Sequence, residues 1–278
     1  MNSMNMKNLK FCLIVFIFFV SCEYQNPAFR FSNFYGSIAE NIAKAIEKNN
    51  IEGIRTEVLE NKINIDFKDE KYEVSLLSLA IVNNKRKAFD ELLELGVNPN
   101  VENTYCGNPL NLAIRYNNNC DLYFVNHLLN NGADITPRFF EKCNYFSRDP
   151  IIETIHYYSD EKKVKCGQDI LMLLTSKLDN PDLLFMYNDA KNYQANIVFN
   201  CLSTQKNISA LKYLIVDLKY KVPKKIFIDG TVILNQEDGF KSLEDILNNR
   251  EFVFEYSEIR EQAKKDILTY LNKNNEAE

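Results

Sequence analysis

Tryptophan is absent from this chain of 278 residues, histidine occurs twice, and glycine and proline occur only eight and seven times. Glycine this sparse leaves no glycine-rich loop to cradle a phosphate, and no low-complexity linker long enough to divide the chain. His127 and His156 form no HExxH motif, and His127, beside Leu128-Leu129, reads as a packing or surface residue. His156 with Cys143 and Cys166 lacks the tight paired spacing of structural zinc. No cysteine has a base in a recognised context, and the many Asp and Glu residues single out no acid/base pair. Positive charge is the minority, 33 Lys+Arg against 38 Asp+Glu for a net −5, with no basic stripe to follow a phosphate backbone. An enzyme, a metal, a cofactor and a nucleic-acid partner are therefore not expected.

What is present begins with a targeting segment. Lys7 and Lys10 precede ten apolar residues, Phe11 to Val20, and then Ser21-Cys22. A basic start, a short apolar run and a small residue at the cut site describe a secretory signal. Ten helical residues span about 15 Å against about 30 Å of bilayer hydrocarbon, too little for a membrane span. The ending Phe19-Val20-Ser21-Cys22 resembles a bacterial lipobox, although Phe19 stands where leucine is usual. The resemblance implies removal of residues 1–21 and a diacylglyceryl group on Cys22. The product would be a lipid-anchored protein of the bacterial cell envelope, facing the periplasm. The alternative is ordinary signal cleavage that leaves Cys22 a plain thiol. Without residues 1–21 the chain has 257 residues and, having lost Lys7 and Lys10, a net charge of −7. Besides Cys22, Cys106, Cys120, Cys143, Cys166 and Cys201 remain, an odd set whose spacings show no disulfide framework. Residues 22–37 read as the lipidated cysteine and a tether, although Phe29, Phe31, Phe34 and Tyr35 are equally able to cover the first helix.

A helical unit then appears twice between Ser75 and Thr136. Leu77-Ser78-Leu79-Ala80-Ile81 aligns with Leu110-Asn111-Leu112-Ala113-Ile114, Leu92-Leu93 with Leu128-Leu129, and Gly96-Val97-Asn98 with Gly132-Ala133-Asp134. The alanines lie 33 residues apart and the glycines 36, so the second copy carries three extra residues between its helices. Pro109 suits the first helical position, and the glycines suit a left-handed residue just past a helix end. This order resembles the ankyrin repeat. The resemblance implies an all-α solenoid of stacked helix–turn–helix units with short β-hairpin-like connections. About six units fit residues 38–278, near 38–72, 73–105, 106–147, 148–193, 194–237 and 238–278. In the first, Asn61-Lys62 takes the glycine's place, and asparagine tolerates φ > 0. In the fourth, Thr154 fills the alanine slot, and in the fifth Cys201 does. Ile226, Ile228, Val232 and Leu234, with Asp229-Gly230 between them, predict a β-hairpin. The last helix, Ile259 to Leu271, has the polar outer face of a terminal cap.

Ankyrin proteins bind partners on the concave face made by finger tips and the ends of the first helices. Carried over, this assigns Val82, Asn83, Arg115, Tyr116, His156 and Tyr157 to the helix ends, and Tyr105, Arg138 and Phe139 to the fingers. The resemblance implies a monomeric, non-enzymatic interaction module with a protein partner. By analogy it extends to an immunity or inhibitor protein that masks a secreted toxin or hydrolase. The alternative is an envelope enzyme or structural envelope protein using the divergent C-terminal half. If Cys22 carries the anchor, Cys22→Ser moves the protein from the membrane pellet to the soluble fraction on cell fractionation; retention in the pellet rejects this anchor.

Overall fold

The computed structural model describes residues 26–103, 107–117, 119–135, 150–155, 157, 163–178, 201, 208–220, 222, 226–228, 239–241, 243–248 and 258–275. The signal 1–21, Cys22, Tyr105, Arg138, Phe139 and His156 lie outside the described residues. The chain is mostly helical. In order it forms α1 Glu40–Glu47, α2 Ile51–Arg55, α3 Leu76–Val82, α4 Arg86–Glu94, α5 Pro109–Arg115, α6 Tyr123–Asn130, α7 Pro150–Ile155 and α8 Val164–Thr175. Then follow α9 Ile208–Lys212, strands β1 Ile226–Ile228 and β2 Gly239–Lys241, α10 Leu243–Asn248 and α11 Glu258–Asn275.

Local chemistry sets where these helices start. The side chains of Asn50, Ser75 and Asn108 accept hydrogen bonds from the amides of Gly53, Ser78 and Asn111 at 3.2, 3.1 and 2.9 Å. Each bond satisfies an amide that the first helical turn leaves unpaired. The ends divide into two types. After α4 and α6, Gly96 and Gly132 sit at φ +83° and +82°. There Val97 N–H bonds Leu92 O at 3.1 Å and Ala133 N–H bonds Leu128 O at 2.9 Å, a Schellman closure. After α2 and α9 the helix instead widens into a π turn, Thr56–Glu60 and Tyr213–Asp217. Lys62 and Lys219, at φ +59° and +58°, take the left-handed position. Asn61, expected to supply it, stays right-handed at φ −81°.

The short helices pack in two ways at once. Each first helix meets its own second helix, α1 with α2, α3 with α4, α5 with α6 and α7 with α8. The first helices also form a row, α1 on α3, α3 on α5 and α5 on α7. Leu76, Leu77, Leu79, Ala80, Leu110, Leu112 and Ile114 are buried along it. Thr154 occupies the small-residue slot of α7, fully buried, its hydroxyl donating to Pro150 O at 2.8 Å. Cys201 is likewise fully buried. Further along, α9 packs on α11. Among the described residues the one sheet is a ribbon in which Ile226 faces Lys241 and Ile228 faces Gly239. The strand paired with Ile226–Ile228 is Gly239–Lys241, followed by α10 with Leu243 and Leu247 buried; Val232 and Leu234, expected in the hairpin, lie outside the described residues.

The fold also begins earlier than residue 38. Pro27–Phe29 and Phe31–Phe34 form 3-10 turns, and Ala28, Phe29, Phe31 and Phe34 are buried. The segment from Asn26 is therefore a packed strap and not a tether.

The connections between units are pinned by single side chains. Asp69, buried, accepts from the amides of Lys71, Tyr72 and Val74 at 3.0, 2.8 and 2.8 Å. One unit later, Asn103 accepts from Gly107 N–H at 3.0 Å. Units are also tied sideways, Asn98 N–H to Asp66 and Asp134 N–H to Asn100, both at 2.8 Å. Asp69→Ala strands three amides and should lower unfolding free energy in urea by about 3 kcal/mol, against about 1 kcal/mol for Asn103→Ala. Equal, small losses would mean that the first finger is held by something else.

Candidate partner-binding face

Of the described residues assigned to a partner, Asn83 and Tyr116 engage the strap, and Arg115 and Tyr157 bond groups of a neighbouring unit. The turn Pro27–Phe29 packs on α3 and the turn Phe31–Phe34 on α1. Asn83, at the end of α3, donates through Nδ2 to Phe29 O at 3.0 Å and to Leu79 O at 2.9 Å. Tyr116, at the end of α5, meets the Phe29 ring edge-on with centroids 5.5 Å apart. Its hydroxyl accepts from Asn26 Nδ2 at 3.3 Å. Phe34 reaches the first finger, its ring 6.2 Å from that of Phe67, and Lys85 Nζ lies 5.8 Å from the Phe31 ring. The strap thus runs over the helix-end positions of the second and third units. Val82 is half-buried beside Asn83.

Arg115 grips Glu153 with both forks, Nε to Oε1 at 2.8 Å and Nη2 to Oε2. Glu153 is buried at 8% exposure, where a carboxylate needs a partner of this kind. Burial, the largest influence, lowers the pKa of Arg115, but the Glu153 bond and charge attraction together outweigh it and the net direction is upward. The same device joins α2 to α4, where Arg55 Nε and Nη2 meet Glu91 at 2.7 and 3.1 Å.

Tyr157 corrects the expected concave face. It is buried, its hydroxyl donating to Ile114 O and, at 3.0 Å, to Asn117 O. Burial pushes its phenol well above the ordinary range. It bolts the fourth unit to the end of α5, and buried there it presents no surface to a partner.

Sequence reasoning missed a cluster between α4 and α6. Arg86 pairs with Asp121 and lies 4.6 Å from the Tyr123 ring centroid. The Tyr123 hydroxyl donates to Asp90. Burial first and the Asp90 bond second push that phenol up to about 12. His127 stacks on the same ring at 4.2 Å. The signal was available in the spacing: Arg86 and Asp121 lie 35 residues apart and Asp90 and Tyr123 lie 33 apart, one unit in each case.

Among the described residues of the expected fingers, the one between the first two units is open to solvent. Glu70 and Lys71 are exposed and Tyr72 is half-buried, with Lys71 Nζ 4.9 Å from its ring. Among the described residues no three His, Cys, Asp or Glu side chains could hold a metal ion, and no helix is long and apolar enough to cross a membrane.

Phe29→Ala should cost about 3 kcal/mol of unfolding free energy and raise amide hydrogen exchange in residues 26–34 and around Tyr116. Exchange unchanged at Tyr116 would show that the strap is held without this ring. No protein-family model matches the chain, and no curated protein matches it in sequence.

Proposed function

We propose that this protein is a non-enzymatic interaction module of the ankyrin-repeat type, a monomer that binds a protein partner. Cys22 carries its lipid anchor in the bacterial envelope, and the fold faces the periplasm. One observation supports the reading above the others: the connections between helix pairs are individually pinned and tied to their neighbours. Asp69 and Asn103 close successive fingers, and Asp66 and Asn100 bond the amides of the following unit at 2.8 Å. A row of tips held this way is preorganised, which lowers the ordering cost of association. With Asn83 and Tyr116, at helix ends of the second and third units, engaged by the strap, the exposed tip around Glu70, Lys71 and Tyr72 is the surface a partner meets. An immunity or inhibitor role, masking a toxin or hydrolase, suits a rigid surface of this kind.

The test is affinity capture from detergent-solubilised envelopes by the wild-type chain and by Glu70→Lys/Lys71→Glu, a charge exchange on exposed positions that leaves the fold intact. A protein retained by the wild type and reduced at least tenfold with the variant supports the finger surface. Identical capture by both places the contact elsewhere.

A further inference from the structure

Among the described residues four large apolar side chains are exposed, Tyr35, Ile38, Leu59 and Met172. Three of the four belong to the end of the strap and the first unit. Tyr35 and Ile38, at 48% and 68% exposure, share one tight turn between the strap and α1. Leu59 stands on the π turn that ends α2. An array end that faces water needs a polar outer surface, and this end departs from that rule.

The turn is ordered by its own bonds. Phe34 and Ala39, on either side of it, are fully buried. Ser37 Oγ donates to Phe34 O at 2.7 Å and accepts from Ala39 N–H at 3.1 Å, while Gly36 N–H donates to Glu40 Oε2 at 2.6 Å. With Phe34 and Ala39 committed to the core, the turn holds Tyr35 and Ile38 on the outside.

Charge at this end differs from that of the rest. From residue 26 to residue 48 the charged side chains are Arg30, Glu40, Lys44, Glu47 and Lys48, a net +1, whereas the chain without residues 1–21 carries −7. Glu40 is engaged by Lys44 and by the Gly36 amide, and Lys44 Nζ lies 5.2 Å from the Tyr35 ring. An anionic bilayer repels the chain as a whole and repels this end least. Tyrosine rings and lysine stems are the side chains that settle at a bilayer interface.

The strap connects this turn to the anchor. It starts at Asn26, which bonds Tyr116 of the third unit, and ends with Phe31–Phe34 against α1. Cys22 is four residues before Asn26. Anchor and turn therefore lie at opposite ends of one packed segment. A lipid alone lets a protein swivel, and a second, separate contact fixes which side it turns to the bilayer.

We propose that Tyr35 and Ile38 insert into the interface of an anionic phospholipid bilayer and lay the first unit against it. The inference rests on the lipid-anchored reading of Cys22 and deepens it. Insertion takes both side chains out of water and adds to the acyl chains the second signal that firm anchoring uses.

The chain has no tryptophan, so one introduced indole reports on one place. Full-length Ile38→Trp and Met172→Trp, both changes at exposed positions, are purified from envelopes in detergent. Mass spectrometry checks each for diacylglyceryl on Cys22. Each is then reconstituted into phosphatidylethanolamine–phosphatidylglycerol vesicles with brominated acyl chains. An interfacial side chain lies about 5–10 Å deep, so Ile38→Trp fluorescence should shift to the blue and fall about twofold, with Met172→Trp unchanged. Adding Tyr35→Asp to Ile38→Trp should restore the unquenched emission. Unquenched Ile38→Trp on protein that carries the lipid overturns the insertion and leaves the anchor standing. A blue shift without quenching places a second copy of the chain on the turn and overturns it too, as does equal quenching of Met172→Trp. An unmodified Cys22 rejects the anchor and, with it, the inference built on it.

Discussion

The structure depends on a constraint of length. α3 and α5 are seven residues each and α2 is five, and helices this short have no independent stability in water. They persist only because each first helix is buried on two sides, by its own second helix and by the first helices flanking it. Alanine at positions 80 and 113, and threonine at 154, allow that close approach. Stability is therefore a property of neighbours and not of units.

A second layer of contacts works at the same period but is polar. Two carboxylates, Glu91 and Glu153, are buried at 4% and 8% exposure, and each is held by both forks of an arginine from the preceding unit. Buried carboxylates need such partners, so Arg55 and Arg115 belong to the stack before they belong to any surface. The same holds for Tyr116 and Asn83, which the strap engages, and for Tyr157, which closes carbonyls at the end of α5. Side chains of the types that dominate interfaces are here used to join one unit to the next.

How much of this was legible in the sequence follows from the range of each interaction. Pro109, Ser75, Asn108, Gly96 and Gly132 act within four or five residues of themselves, and their roles at helix starts and ends could be read directly. Thr154 and Cys201 could be read from the period. The strap could not be decided, because Phe29, Phe31 and Phe34 follow no period that tells a spacer from a cover; only the contact with Tyr116, some ninety residues away, does so. Tyr157 was misplaced because position in a unit was equated with exposure, and a bulky phenol can turn inward to share backbone carbonyls of the preceding unit. The pairing of residues 226–228 with 239–241 is likewise a tertiary fact that no local spacing encodes.

The strap has a mechanical consequence. Its first described residue, Asn26, is four positions from Cys22, and a chain of that length reaches at most about 14 Å. In the lipid-anchored reading the array is moored on a short line, with its opening unit close to the headgroups and unable to swing far from them. A partner seated on Glu70, Lys71 and Tyr72, in the finger between the first two units, would then be held close to the membrane surface.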